Sequence, residues 1–286
     1  MNQKISLANE GVFPIVKDKE GQVLPKAPAT GITVAGTIQG EGKLAGIPSL
    51  FIRFSSCNLR CIWQLPDGTY SRCDTPYASF DANGIQQITV DDVLALVKHN
   101  LGPIRHIVIT GGEPLLQKDA LIELAARLKS ELQLHLTIET NGSIFNAQVA
   151  QQIDLFSISP KLANSTPNPA KLAALGLSPS GPLKFHGERR LNLSALQAYI
   201  DVCRSADKAF QLKFVVGQAA DEQEITSAYL NRLTGWAVSD IMLMPLGATQ
   251  EELQQTTPMV LEMAIRNGWR FTPRVHIDLF GSKPGV

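Results

Sequence analysis

Cys57, Cys61 and Cys73 stand within one short segment, and Thr110-Gly111-Gly112-Glu113-Pro114 follows them. Three thiolates can hold a cubane iron–sulfur cluster, which ordinarily takes four cysteine ligands. With three, one iron keeps an open coordination position that the amino and carboxylate groups of a methionine can chelate. A glycine pair followed by an acid offers bare backbone and one acceptor at which such an ammonium group can sit. Together the two motifs predict S-adenosylmethionine (SAM) on a site-differentiated 4Fe-4S cluster, an arrangement for making a carbon radical. The competing reading is a structural zinc site built from these cysteines and one of the five histidines. No histidine lies between Cys57 and Cys73, and zinc sites favour two close Cys-x-x-Cys pairs. A zinc clip also has no use for a glycine-glycine-glutamate segment.

Such residues need a scaffold, and the chain supplies one by alternating apolar runs with amphipathic segments. Ser49–Phe54, His106–Thr110, Leu134–Glu139, Leu155–Ser159, Gln211–Val216 and Asp240–Met244 read as buried strands. Thr89 is expected to cap a helix through Val97, with Asp92 completing a box-like start. Leu121, Leu124, Ala125 and Leu128 mark one helical face. Leu196, Ile200 and Cys203 mark another, which places the fourth cysteine in the core. Pro258 is expected to open the last long helix and Gly268 to close it. Strand–helix alternation of this kind predicts an α/β fold with a parallel sheet and right-handed crossovers. About six strands are too few to close an eight-stranded barrel, so the expected form is an open, partial parallel β/α barrel. Chemistry then gathers at the carboxyl ends of the strands. There stand Cys57, the Thr110–Glu113 segment, Glu139–Gly142, Ser159-Pro160-Lys161 and Met244-Pro245-Leu246-Gly247.

Composition narrows the class. With 286 residues and 44% hydrophobic content the chain can bury a full core. Lys plus Arg equals Asp plus Glu at 26 each, so no general field draws in nucleic acid or an acidic membrane, and an anionic substrate must meet local charges. The first twenty residues carry Lys4, Glu10, Lys17 and Glu20 without a continuous apolar stretch, unlike a signal peptide or membrane anchor. Clustered cysteines speak for a reducing, cytoplasmic compartment over a disulfide framework.

In order along the chain stand Thr37-Ile38-Gln39-Gly40-Glu41-Gly42, Ser49–Arg53, Cys57-Asn58-Leu59-Arg60-Cys61 and Cys73-Asp74-Thr75-Pro76-Tyr77. The glycine-glycine-glutamate segment, Glu139–Gly142 and Ser159-Pro160-Lys161 complete the series. It resembles the radical-SAM 7-carboxy-7-deazaguanine synthases from Thr37 to the C-terminus. The resemblance implies a catalytic domain over 37–286 of the radical-SAM type, preceded by an extension over 1–36. For that extension the sequence offers nothing beyond packing or an edge strand at Gly31–Val34. The implied reaction contracts the ring of 6-carboxy-5,6,7,8-tetrahydropterin to 7-carboxy-7-deazaguanine with loss of ammonia, toward queuosine. Electron transfer from the reduced cluster to SAM gives a 5′-deoxyadenosyl radical that takes a substrate hydrogen, and SAM is regenerated. The resemblance also implies magnesium at Thr75, a reducing partner such as flavodoxin, and a homodimer. The alternative within the superfamily is an activating enzyme that installs a glycyl radical on a protein, which would need a broad docking groove.

Carried over residue by residue, the family places the substrate against Ile38, Gln39, Gly40, Thr110 and the terminal carboxylate of Val286, with Arg53 pairing the substrate carboxylate. SAM would meet Arg72, Asp74, Gly112, Glu113, Ser159, Pro160, Lys161 and the Met244–Gly247 run. Arg53 is also notable by itself, because an unpaired charge in the apolar run Leu50–Phe54 is costly. Two departures stand out. Gln64–Arg72 separates Cys61-Ile62-Trp63 from Cys73, and its Pro66-Asp67-Gly68 predicts a tight turn that loops the insertion out peripherally and returns Cys73 to its place. Trp63 and Arg72 compete for the position beside the adenine. Met244 replaces a family glutamine with a weak acceptor, so its adenine contact is expected to be main-chain or apolar.

Overall fold

The computed structural model describes residues 3–80, 84–283 and 285. Its strands are β1 Lys4–Phe13, β2 Thr37–Ile38, β3 Pro48–Phe54, β4 Ile62–Gln64, β5 Tyr70–Arg72, β6 Gln86–Thr89, β7 His106–Gly111, β8 His135–Thr140, β9 Leu155–Ile158, β10 Ala209–Val216, β11 Ile241–Pro245 and β12 Arg270–Phe271. The main sheet runs β12-β11-β10-β9-β8-β7-β3-β1-β6, and every pairing from β3 to β12 is parallel. All six expected strands are therefore present, extended by the short β12, and β12 and β6 leave the sheet open. The parallel strands carry mostly buried apolar residues: Ile107, Val108 and Ile109 of β7 have no exposed surface.

The helices follow the expected faces. Thr89 accepts the Asp92 amide and caps Val90–Asn100, and Leu121, Leu124, Ala125 and Leu128 of Lys118–Leu132 are fully buried. Cys203 lies in the main core with Leu196 and Ile200. One expectation fails here. The last long helix spans Gln250–Asn267 with Pro258 inside it, capped by Thr249 and closed by Gly268. The Thr249 cap with Glu252 supplies a stronger start signal than proline. Burial of Leu253, Val260 and Met263 offsets the hydrogen bond that Pro258 removes.

The N-terminal segment also departs from expectation. Gly31–Val34 is exposed and not a strand; the strand is β1, inside the sheet, antiparallel to both β3 and β6. β1 buries Ile5, Leu7 and Val12, apolar area that the exposed segment lacks. No helix among the described residues is long and apolar enough to cross a membrane.

Candidate active site

A cavity of about 250 Å³ opens at the carboxyl ends of the parallel strands, and Cys57, Cys61 and Cys73 line one end of it. The Gln64–Arg72 insertion is a β-hairpin. β4 pairs antiparallel with β5, Trp63 opposite Ser71, and the turn closes through Gly68 N–H to the Leu65 carbonyl at 2.9 Å. At the hairpin's base the Cys73 amide donates to the Cys61 carbonyl at 3.1 Å, so eleven intervening residues cost the site no separation. The hairpin is not wholly peripheral: Trp63, Leu65, Ser71 and Arg72 line the cavity. Trp63 and Arg72, which the sequence made competitors, both line the cavity.

The cysteines sit in an apolar cluster with Leu59, Trp63 and Leu246. Burial pushes the Cys57 thiol up to about 12 and raises Cys61 and Cys73 as well, with Lys161 the opposing cation at each. A thiolate in such surroundings needs a metal charge in place of its proton. Among the described residues no three acid, cysteine or histidine side chains converge on a point that one ion would occupy. A cubane cluster needs no such point, because each thiolate meets a different iron. The donor set fits that group. Leu59 N–H approaches Cys57 Sγ at 3.4 Å, and Thr75 Oγ1 lies 3.4 Å from Cys73 Sγ.

The glycine pair does more than bare a strand end. Gly111 has φ +137°, and a Cβ there would lie 2.1 Å from the Phe54 carbonyl oxygen; one on Gly112 would lie 2.1 Å from that of Ser56. Only glycine lets this turn cross β3 so closely. Gly112 lines the cavity. Glu113 does not act as the sequence suggested. It has no exposed surface and accepts from Thr140 Oγ1 at 2.9 Å, the Asn141 amide at 2.8 Å and the Leu115 amide at 3.1 Å. Because three donors behind the wall claim its oxygens, Glu113 fixes the Glu139–Gly142 turn and is not an exposed acceptor for SAM.

Burial lifts the Glu113 carboxyl to about 7 against the pull of those donors. Its folded value exceeds its unfolded one, so its contribution is full below about pH 4.5 and declines as pH rises to about 7. Urea titrations of the apoprotein should therefore show wild type losing roughly 3 kcal/mol relative to Glu113→Gln across that window. Parallel pH profiles for the two proteins would refute this.

Another part of the cavity is polar. Glu139 Oε1 accepts from Gln39 Nε2 at 3.1 Å and its Oε2 from Thr110 Oγ1 at 2.7 Å. Arg53 sits between the Phe13 ring (4.8 Å) and the Tyr77 ring (5.8 Å); Glu10 is 3.8 Å from its Nε, which makes no hydrogen bond. Beside them Glu41 is clamped by Lys213 at 2.5 Å and Arg274 at 2.9 Å. Burial opposes ionisation of Glu41, yet Lys213 and Arg274 hold its carboxyl well below the usual range. Arg274 also donates to the Gly247 carbonyl at 2.5 Å and to Asp74 Oδ2 at 2.6 Å.

The cavity brings together most of the expected residues: Ile38, Gln39, Gly40, Arg53, Thr75, Asp74, Thr110, Ser159, Lys161 and Met244 through Gly247 all line it. Pro160 is buried behind Ser159 and Lys161 and holds the bend without facing the cavity. Val286 lies outside the described residues. Sequence reasoning missed Glu139 as a side chain, Lys213, Arg274 and His276. Lys213 had a signal, a lysine inside the apolar run Leu212–Val216, the same anomaly that marked Arg53.

Because the hairpin already sets Cys73 beside Cys61, excision of Gln64–Arg72 should keep iron content near wild type. Removing Arg72 and Leu65 from the cavity should weaken SAM binding about tenfold, on the order of 1.4 kcal/mol. A variant that folds by circular dichroism but binds no iron would make the hairpin part of the cluster site.

Residues 52–159 match the Radical SAM superfamily. A 7-carboxy-7-deazaguanine synthase from Halobacterium salinarum is 39% identical over 255 residues, covering 87% of this chain and 89% of its own. One from Rhodopirellula baltica is 39% identical over 248 residues, covering 87% and 85%. The crystal structure of QueE from Escherichia coli shares the fold at a TM-score of 0.60 and 21% identity over 95% of each chain. Relatives of this identity and coverage, together with a cavity that gathers the motif series, establish that the chain belongs to the 7-carboxy-7-deazaguanine synthase family of the radical SAM superfamily.

Proposed function

We infer that the chain is a radical-SAM carbon–nitrogen lyase converting 6-carboxy-5,6,7,8-tetrahydropterin to 7-carboxy-7-deazaguanine with loss of ammonia, in deazapurine and queuosine biosynthesis. One observation carries this reading: a single cavity is lined both by the three clustered cysteines and by Arg53, Gln39, Thr110 and Glu139. Cys57, Cys61 and Cys73 would hold the 4Fe-4S cluster, which, when reduced and bound to SAM, supplies the 5′-deoxyadenosyl radical. The protein's work is to place and exclude. Gly112 and Asp74 line the part of the cavity nearest the cysteines, where the methionine end of SAM belongs. Ser159 and Lys161 would meet its ribose, with Lys161 Nζ donating to Ser159 Oγ at 2.7 Å. Met244–Gly247 with Arg72 and Trp63 would meet the adenine, and the buried thioether of Met244 makes that contact apolar.

Arg53 suits the substrate carboxylate because its Nε lacks a hydrogen bond while two rings hold its plane. Glu139 offers acceptors, and Gln39 both kinds of group, to a pterin edge rich in donors and acceptors, beside Ile38 and Gly40. We place magnesium at the Thr75 hydroxyl, a hard-oxygen ligand facing the cavity, with water and substrate oxygens completing its shell. Val286 is retained as a substrate contact on the family resemblance. So are a catalytic domain over 37–286, a homodimer, a reducing partner such as flavodoxin and a cytoplasmic location.

The test is anaerobic incubation of reconstituted protein with SAM, dithionite, magnesium and the carboxypterin. A new deazapurine chromophore with stoichiometric ammonia is expected. SAM cleavage without that product would move the reading to another substrate. A cavity of about 250 Å³ with a largely covered arginine in its wall fits a small anion better than the polypeptide of a glycyl-radical activating enzyme.

A further inference from the structure

We infer that His186 donates a hydrogen bond to the Cys61 sulfur and thereby raises the reduction potential of the cluster, an inference that rests on the cluster reading above. His186 opens a short helix, His186–Arg189, 125 residues beyond Cys61. Its ring is fully buried, and Nε2 lies 3.3 Å from Cys61 Sγ. The other ring nitrogen, Nδ1, is buried with no hydrogen-bond partner. A neutral imidazole carries one N–H, and a buried orphan donor is rarer than an orphan acceptor. The proton therefore belongs on Nε2, facing the sulfur. An imidazolium would donate from the same nitrogen, so the assignment holds in either charge state.

A thiolate bound to iron is an acceptor for this N–H. Hydrogen bonds to cluster sulfurs draw off charge and favour the reduced state. The three sulfurs are met differently: Cys57 by the Leu59 amide and the Asn141 side-chain amide, Cys73 by the Thr75 hydroxyl and Cys61 by an imidazole. His186 does not itself line the cavity, so it acts through Cys61 as a positioning and tuning residue.

The experiment uses reconstituted full-length enzyme. EPR-monitored redox titration should give a lower midpoint for His186→Phe at equal iron content. His186→Gln, whose amide N–H can reach the same sulfur, should stay near wild type. An unchanged midpoint in a loaded His186→Phe protein overturns the proposal. If that variant fails to load, wild-type protein decides. Reduced clusters prepared with nitrogen-15 histidine should show by ENDOR one weak histidine-nitrogen coupling and an exchangeable proton, of which His186→Gln loses the first and keeps the second. A wild-type cluster with no histidine coupling refutes this proposal alone; a wild-type protein that binds no cluster refutes the cluster reading with it.

Discussion

Replacing Cys57, Cys61 or Cys73 by alanine is expected to reduce SAM cleavage to background, whereas Cys203→Ala should leave it nearly intact. The three cavity cysteines share one apolar cluster and each lines the same wall. A cubane with two protein thiolates has lost the coordination that holds it. The fold should survive, because truncating a small buried thiol costs only about 1 kcal/mol. The loss would then be one of iron, visible as missing charge-transfer absorption in a protein with normal circular dichroism. Cys203 supplies the matched control. It is fully buried, but it belongs to the main core with Leu196 and Ile200, so its truncation costs stability and no iron. Turnover in any one of the three cavity variants would end the cluster assignment.

What the sequence made legible was local. Runs such as His106–Thr110 read directly as strands, because a parallel strand buried on both faces has no polar alternation to obscure it. Pro66-Asp67-Gly68 announced the turn that returns Cys73 to Cys61. β1 escaped because Asn9-Glu10-Gly11 breaks its alternation, and the pairing register with β3 shifts between Leu7 and Val12. Glu113 was misassigned because its motif shows an acid but not the direction it faces; the neighbouring Leu115 amide and two donors from the distant Thr140–Asn141 turn decide that. The polar part of the cavity was hidden by distance. Glu41 meets Lys213 across 172 residues and Arg274 across 233, and Arg274 lies in a segment with no periodic pattern to mark it.

That last residue carries the second large expected effect. Arg274 is 10% exposed and its guanidinium joins three rim segments: Glu41 after β2, Asp74 after the third cysteine, and the Gly247 carbonyl after β11. Arg274→Ala should cost about 3 kcal/mol, at the lower end for a broken buried pair, because Lys213 remains on Glu41 and Asp74 is 43% exposed to water. Arg274→Lys should not restore the loss, since one ammonium cannot reproduce a fork that reaches three acceptors. Turnover should fall roughly a hundredfold in both, the scale of a 1 Å displacement at a reacting site, because the cavity loops at Asp74 and Gly247 lose a common strut. The pH dependence gives an independent check. Glu41 is held below its unfolded value, so its contribution is present above about pH 4.5 and is lost as pH falls further. Removing one of its two cations should flatten that acid limb in urea titrations. An Arg274→Ala enzyme with wild-type stability, acid limb and turnover would show that the network is an incidental surface pairing.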